Sequence, residues 1–240
     1  MAVQTKPKTP PETAIDRGER AHTRLLCEAT RLFSEQGYAA TSTREICAAA
    51  GLNVAAIHYH FGGKEGLYRE VLLGPIRQLT GEFDGFDDPA LPLAEALRRI
   101  LGAFVGVAAQ SRSAGAAACV AADSQAAQGL RLHLREMVEP SPMYAATVAQ
   151  HIVPHHQAMA RLLARHIGLA APDDDVHRLV FALVAMAHDY CMSREFMHLL
   201  APGLLERPDA LTRALERLVD WGLALVAHER VRHGCAQAGP

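Results

Sequence analysis

Apolar residues recur along this chain at spacings of three and four, the period of an amphipathic helix, and no stretch alternates as a strand would. Residues 17–37 form the first helix, with Leu25, Ala29, Leu32 and Phe33 on one face and Gly37 as its C-cap. A short helix, 43–50, follows, carrying Ile46 and Ala50 four apart; Thr43 is its expected N-cap. Gly51 ends it, because glycine takes the left-handed backbone that a tight turn needs. Asn53 then caps a second short helix, Val54 to His60, whose inward face is Ile57 and Phe61. Gly62-Gly63 breaks the chain, and a helix over 64–83 leaves this three-helix head, interrupted by Pro75, where a kink is expected.

The region 81–92 is rich in Asp, Gly and Pro and reads as a loop. Beyond it the pattern stays helical. Helices are predicted over 93–110, 130–139, 143–167, 173–198 and 211–232, with a stretch dominated by Ala, Gly and Ser at 111–129. The fold class is therefore all-α. The expected organisation is a flexible tail (1–16), a three-helix head (17–74) and a larger helical body (75–235).

The stretch from Thr43 to Leu67 carries the candidate chemistry. Two short helices joined by a turn containing Gly make a helix-turn-helix, whose second helix enters the DNA major groove. Val54, Ala55, Ala56 and His58 point away from the apolar face, and three of the four are small. Short side chains suit a helix pressed against base edges in a groove about 12 Å wide. Tyr59 and His60 carry polar tips within reach of phosphate. Lys64 places a charge beside exposed backbone N–H groups at a helix start, a phosphate-binding corner.

This run resembles the N-terminal domain of the TetR family of transcriptional regulators. The matching residues are Thr43, Ile46, Ala50-Gly51, Ile57, Tyr59-His60-Phe61, Lys64-Glu65 and Leu67. His58 stands where many members carry Tyr. The segment Arg135 to Pro142, with the two long helices after it, resembles the C-terminal domain of the CecR-like subgroup. The resemblance implies that Thr43, Asn53, Tyr59, His60 and Lys64 hold phosphate while Arg44, Val54, Ala55, Ala56 and His58 face bases. It also implies a homodimer joined by a four-helix bundle, and a pocket in the body where a small-molecule effector binds.

Charge narrows how DNA is gripped. The net charge is −2, and 17–70 holds seven Arg and Lys against six Glu, so a broadly basic surface is excluded. Binding must rest on a few local contacts, backbone amides and helix dipoles. Lys64 is the only Lys outside the first eight residues, and Asn53 is the only Asn.

Five dispersed cysteines without a C-x-x-C pair read as reduced, mostly buried thiols. A polar, Pro-rich start and the lack of a long apolar run predict a soluble cytoplasmic protein with no membrane partner.

In the body, Ala182, Leu183, Ala185, Met186 and Ala187 form a nearly continuous apolar run, so that helix needs partners on two faces, one of them across a two-fold axis. Dimeric readers meet half-sites about 34–36 Å apart, which predicts a palindromic double-stranded operator. Polar or adaptable candidates for the effector pocket are His133, Met137, His155, Met159, His188, Asp189 and Tyr190. His151 and His155 share a face with His156 adjacent, but no third ligand stands in register, so no metal or other cofactor is assigned.

No nucleophile elbow, zinc-protease helix, phosphate loop or dinucleotide fingerprint is present, so no enzymatic role is expected. The reading that results is a ligand-responsive, dimeric DNA-binding regulator, a repressor released by its effector. The alternative is a helical small-molecule or metal sensor whose near-neutral head does not bind DNA.

Overall fold

The structure is a computed structural model that describes residues 14–80, 85–113 and 125–237, all helices and connections with no strand among the described residues. The helices are α1 (Ala14–Ala40), α2 (Thr43–Ala50), α3 (Ala55–Phe61), α4 (Lys64–Thr80), α5 (Leu93–Ser113), α6 (Gln125–Val138), α7 (Pro142–His151), α8 (Val153–Ile167), α9 (Asp174–Met192), α10 (Arg194–Leu200) and α11 (Ala210–Gln237). The chain divides into two compact units, residues 1–71 and 72–240. Helix α4 begins in the first and ends in the second.

The first unit is built on the face predicted for α1. Leu25, Ala29, Leu32 and Phe33 are buried, together with Ile46, Cys47 and Ala50 of α2, Ile57 of α3, and Leu67 and Tyr68 of α4. Gly37 adopts φ 81°, a left-handed conformation that interrupts α1 where the C-cap was expected. The helix begins earlier than expected, at Ala14, so 14–16 do not belong to a tail; the rest of the predicted tail lies outside the described residues.

The second unit has one apolar core shared by α5, α8, α9 and α11. Leu97 and Leu101, Leu162 and Leu163, Val176, Val180 and Leu183, and Leu218 are among its buried contributions. Gly222 of α11 lets that helix close on α5 and α9: a Cβ there would stand 3.1 Å from Leu97 and 3.2 Å from Leu183. On the rim, Arg98 of α5 donates to both carboxylate oxygens of Glu216 on α11, at 3.1 and 3.0 Å.

Two predicted long helices are each split. The expected 143–167 helix breaks at Ile152, because Pro154 has no N–H to continue the ladder and fits only the first turn of a new helix. The expected 173–198 helix ends at Met192, and Ser193 (φ −111°, ψ 21°) separates it from α10. Asp173, where the helix was expected to start, is the N-cap of α9, its carboxylate accepting the Val176 N–H at 2.9 Å. Helix α4 continues through Pro75, and most of the Ala/Gly/Ser-rich stretch lies outside the described residues. Of the cysteines expected to be buried, Cys47 is, but Cys27 is exposed.

Candidate nucleic-acid interface

The turn between α2 and α3 follows from three residues. Gly51 sits at φ 63°, ψ 38°, the left-handed region that lets its N–H reach the carbonyls closing α2. Leu52 donates back to the Cys47 carbonyl at 2.8 Å. Asn53 then accepts the Ala55 N–H on its side-chain oxygen at 2.6 Å, satisfying one of the free donors at the start of α3. Val54 is already helical (φ −57°, ψ −31°) and offers no side-chain cap.

The cap of α2 corrects the expectation for Thr43. Ser42, in extended conformation, accepts the Glu45 N–H at 3.2 Å, and Glu45 accepts the Ser42 N–H at 2.8 Å. This reciprocal pair is a capping box. These bonds to Ser42 hold the Glu45 carboxyl below its ordinary pKa, with a smaller contribution from Lys64. Thr43 is therefore the first residue inside α2, half-buried, and cannot be its cap.

Helix α3 is divided as its sequence suggests. Ile57 is fully buried. Val54, Ala55, His58 and Tyr59 are exposed, Ala56 and His60 are half-buried, and Tyr59 reaches 85% exposure. Arg44 on α2 is exposed as well. The outer surface of α3 is thus a low ridge of small groups flanked by polar aromatic side chains.

The Lys64 ammonium rests 4.2 Å above the Tyr38 ring, a cation–π placement. Tyr38 in turn lies against Tyr68 (4.7 Å between centroids) and Phe33 (6.0 Å). Burial, then Glu65, raises the Tyr38 phenol above its ordinary range, so the ring stays neutral.

One contact at this site has no signature in the sequence. His22, on α1, stacks on Phe61 with centroids 4.7 Å apart and planes at 28°. The same imidazole meets His60 edge-on at 5.8 Å. His60 also packs edge-to-face with Tyr59, at 4.9 Å.

In the second unit the predicted effector residues separate into groups. His133 and His188 come together, ring centroids 6.4 Å apart, with His133 Nδ1 3.2 Å from the Tyr144 hydroxyl. Phe104 closes on His188 edge-on at 6.1 Å. Burial, reinforced by His188, lowers the His133 pKa to about 4, so it is neutral near pH 7. Tyr144 is pushed up to about 12 by burial and by Glu136.

Met159 lies elsewhere. It lines a small apolar cavity of about 10 Å³ with Leu97, Ile100, Leu101, Leu163, Val180 and Leu183, scarcely space for one water. His155 bonds the His151 carbonyl at 2.8 Å, Tyr190 is half-buried, and Met137 and Asp189 are exposed. His156 pairs with His177 of α9 at 2.9 Å, so the three neighbouring histidines do not converge. No group of three metal-type side chains occurs among the described residues, and no helix there is long and apolar enough to cross a membrane.

Comparison with known proteins agrees with this geometry. Residues 25–71 match the model of bacterial regulatory proteins of the tetR family. Residues 114–224 match the C-terminal domain of the HTH-type transcriptional dual regulator CecR. CecR of Shigella flexneri is 30% identical over 215 residues, 88% of this chain and 92% of that protein. The HTH-type transcriptional repressor KstR2 of Rhodococcus jostii is 38% identical over 78 residues, 31% of this chain and 37% of its own length.

Among solved structures, the TetR-family regulator PfmR of Thermus thermophilus superposes with a TM-score of 0.51 at 26% identity, over 85% of this chain and 96% of that one. A tetR-family regulatory protein from Rhodococcus, at 22% identity and a TM-score of 0.56 over 86% and 96%, shares the fold. From the helix-turn-helix of the first unit to the helical core of the second, the chain belongs to the TetR family of DNA-binding transcriptional regulators.

Proposed function

We propose that this protein represses transcription as a homodimer on a palindromic operator, and leaves it when a small molecule occupies the second unit. The observation that carries the reading is the two-sidedness of α3: Ile57 is pinned in the core while Ala55, His58 and Tyr59 of the same short helix are exposed. Arg44, Val54, Ala55, Ala56 and His58 face bases. Thr43, Asn53, Tyr59, His60 and Lys64 take phosphates, which fix register without reading sequence.

Dimerisation is supported by large apolar groups left uncovered on the last helices: Phe181 of α9 at 66% exposure, and Trp221 and Val231 of α11 at 44% and 64%. The His133–Tyr144–His188 group supplies the polar end of the effector site, offering neutral hydrogen-bonding atoms. The cavity at Met159 is too small for an effector as it stands, so binding must open the core. An effector releases DNA only if it prefers a conformation that fits the operator poorly. Helix α4 carries both Lys64 and Pro75, and Pro75 Cγ stands 3.3 Å from where a Cβ on Gly129 of α6 would lie. The protein acts in the cytoplasm, beside the DNA it reads, with its head in residues 17–74 and its sensing and pairing body in 75–235.

The test is selection of binding sequences from random duplexes by the full-length protein, followed by gel shift. Enrichment of an inverted repeat supports the assignment. If no sequence is enriched while the protein remains dimeric and folded, α3 is not a base reader and the sensor reading without DNA takes its place.

A further inference from the structure

We propose that His22 is a positioning residue for DNA reading: an aromatic plate on α1 that fixes the angle at which α3 is presented. The inference rests on the assignment of α3 as the base reader. Ile57 anchors the middle of α3 in the core, but one buried side chain leaves a seven-residue helix free to rock about it. The C-terminal end needs a second anchor. Phe61, the last residue of α3, is only half-buried, and Gly62 follows at φ 72°, where the backbone turns away.

His22 supplies the missing support. Its ring covers Phe61 at 4.7 Å and 28°, an offset stack, and presents an edge to His60 at 5.8 Å and 77°. Pairs of this geometry are worth more than the area they bury, and they are directional, so they resist tilt as well as separation. His60 then packs on Tyr59 at 4.9 Å and 83°. The row His22, Phe61, His60, Tyr59 therefore runs from the body of α1 to the exposed Tyr59 of α3. Small displacements of a base-reading helix matter, because hydrogen bonds to base edges are short-ranged and geometric, whereas the attraction to phosphate is not.

The consequence separates two quantities. Loss of the plate lowers discrimination between sequences and leaves general attraction to DNA in place. The experiment uses the full-length protein with His22→Ala and His22→Phe, a duplex selected by the wild type, and a random duplex of equal length. His22→Ala is expected to bind the selected duplex about tenfold more weakly, with binding to the random duplex close to wild type and the protein still folded. His22→Phe keeps the ring without the imidazole nitrogens and is expected to restore discrimination.

Amide hydrogen exchange in α3 gives a second readout: faster in His22→Ala, and as in wild type in His22→Phe. Unchanged discrimination in His22→Ala overturns the proposal. So does equal loss in both variants, since that result assigns His22 a direct polar contact with DNA. Failure of the wild type to select any sequence is a different outcome, and it removes the base-reading role of α3 and this proposal together.

Discussion

Ser42 and Glu45 each accept the other's backbone N–H, at 3.2 and 2.8 Å, and so close the start of α2 from both sides. Ser42→Ala removes one arm of the box and is expected to destabilise the protein by about 1 kcal/mol. Thr43→Ala, one residue on, leaves both bonds intact and is expected to change stability far less. Denaturant unfolding of the two variants decides this; equal losses would return the capping role to Thr43.

Ala55 and Ala56 are adjacent on α3, yet only Ala55 is fully outside the packing. Ala55→Leu is expected to reduce affinity for a selected sequence at least about tenfold, with the dimer and the unfolding midpoint unchanged, since a correct base contact is worth roughly 1–3 kcal/mol. The same change at half-buried Ala56 mixes lost binding with lost packing. Wild-type affinity in Ala55→Leu, measured by fluorescence anisotropy, rejects the placement of this face in the groove.

Much of the head is legible from residue types alone. Gly51 and Asn53 announce the turn because few other residues take its backbone or cap the next helix, and Ile57 with Phe61 marks the inward face. Ser42 and Thr43 are harder to separate, since both carry a hydroxyl at a helix start. The discriminating residue is Glu45, three places after Ser42 and two after Thr43, where only the former spacing makes a capping box. The break before α8 was visible in Pro154, but the helical period carries on across it. The stack of His22 on Phe61 was not legible, because it joins residues distant in sequence and neither carries a local sign of its partner. The polar group of His133, Tyr144 and His188 is tertiary in the same way, drawn from α6, α7 and α9.

Lys64→Ala is expected to weaken binding to selected and random duplexes by about the same factor, because a phosphate contact carries no sequence information. The slope of log affinity against log salt should fall in magnitude by about one. A titration at several salt concentrations measures both. A variant that merely changes which sequence is preferred shows that Lys64 reads bases.

His133 makes stability depend on pH in a defined window. Burial holds its pKa at about 4, against an ordinary value of 6.5. Below pH 6.5 the unfolded chain gains a proton that the folded chain refuses until about pH 4, so stability is full above this window and falls through it. At pH 5 the loss from this group amounts to roughly 2 kcal/mol. Thermal unfolding between pH 7 and pH 5 should show a shallower decline for His133→Phe than for the wild type; parallel declines would show that His133 takes up its proton without penalty.

Gly222 faces the side chains of Leu97 and Leu183 so closely that an added Cβ, 3.1 and 3.2 Å from them, fits only if they give way. Gly222→Val is expected to overpack the core and cost about 1–3 kcal/mol despite removing a glycine from a helix. Calorimetry measures it, and a midpoint at or above wild type would show that α11 can shift outward freely.

Tyr38 has two allegiances. One face of its ring carries the Lys64 ammonium, and the ring packs beside Phe33 and Tyr68 inside the head. A hole cut in the interior, as by Phe33→Ala, will let that ring sag and take the cation with it. Genetic screens for variants of this regulator that no longer hold DNA should therefore recover interior aromatic positions beside the surface ones, and suppressors of such mutants should map to neighbours that refill the hole.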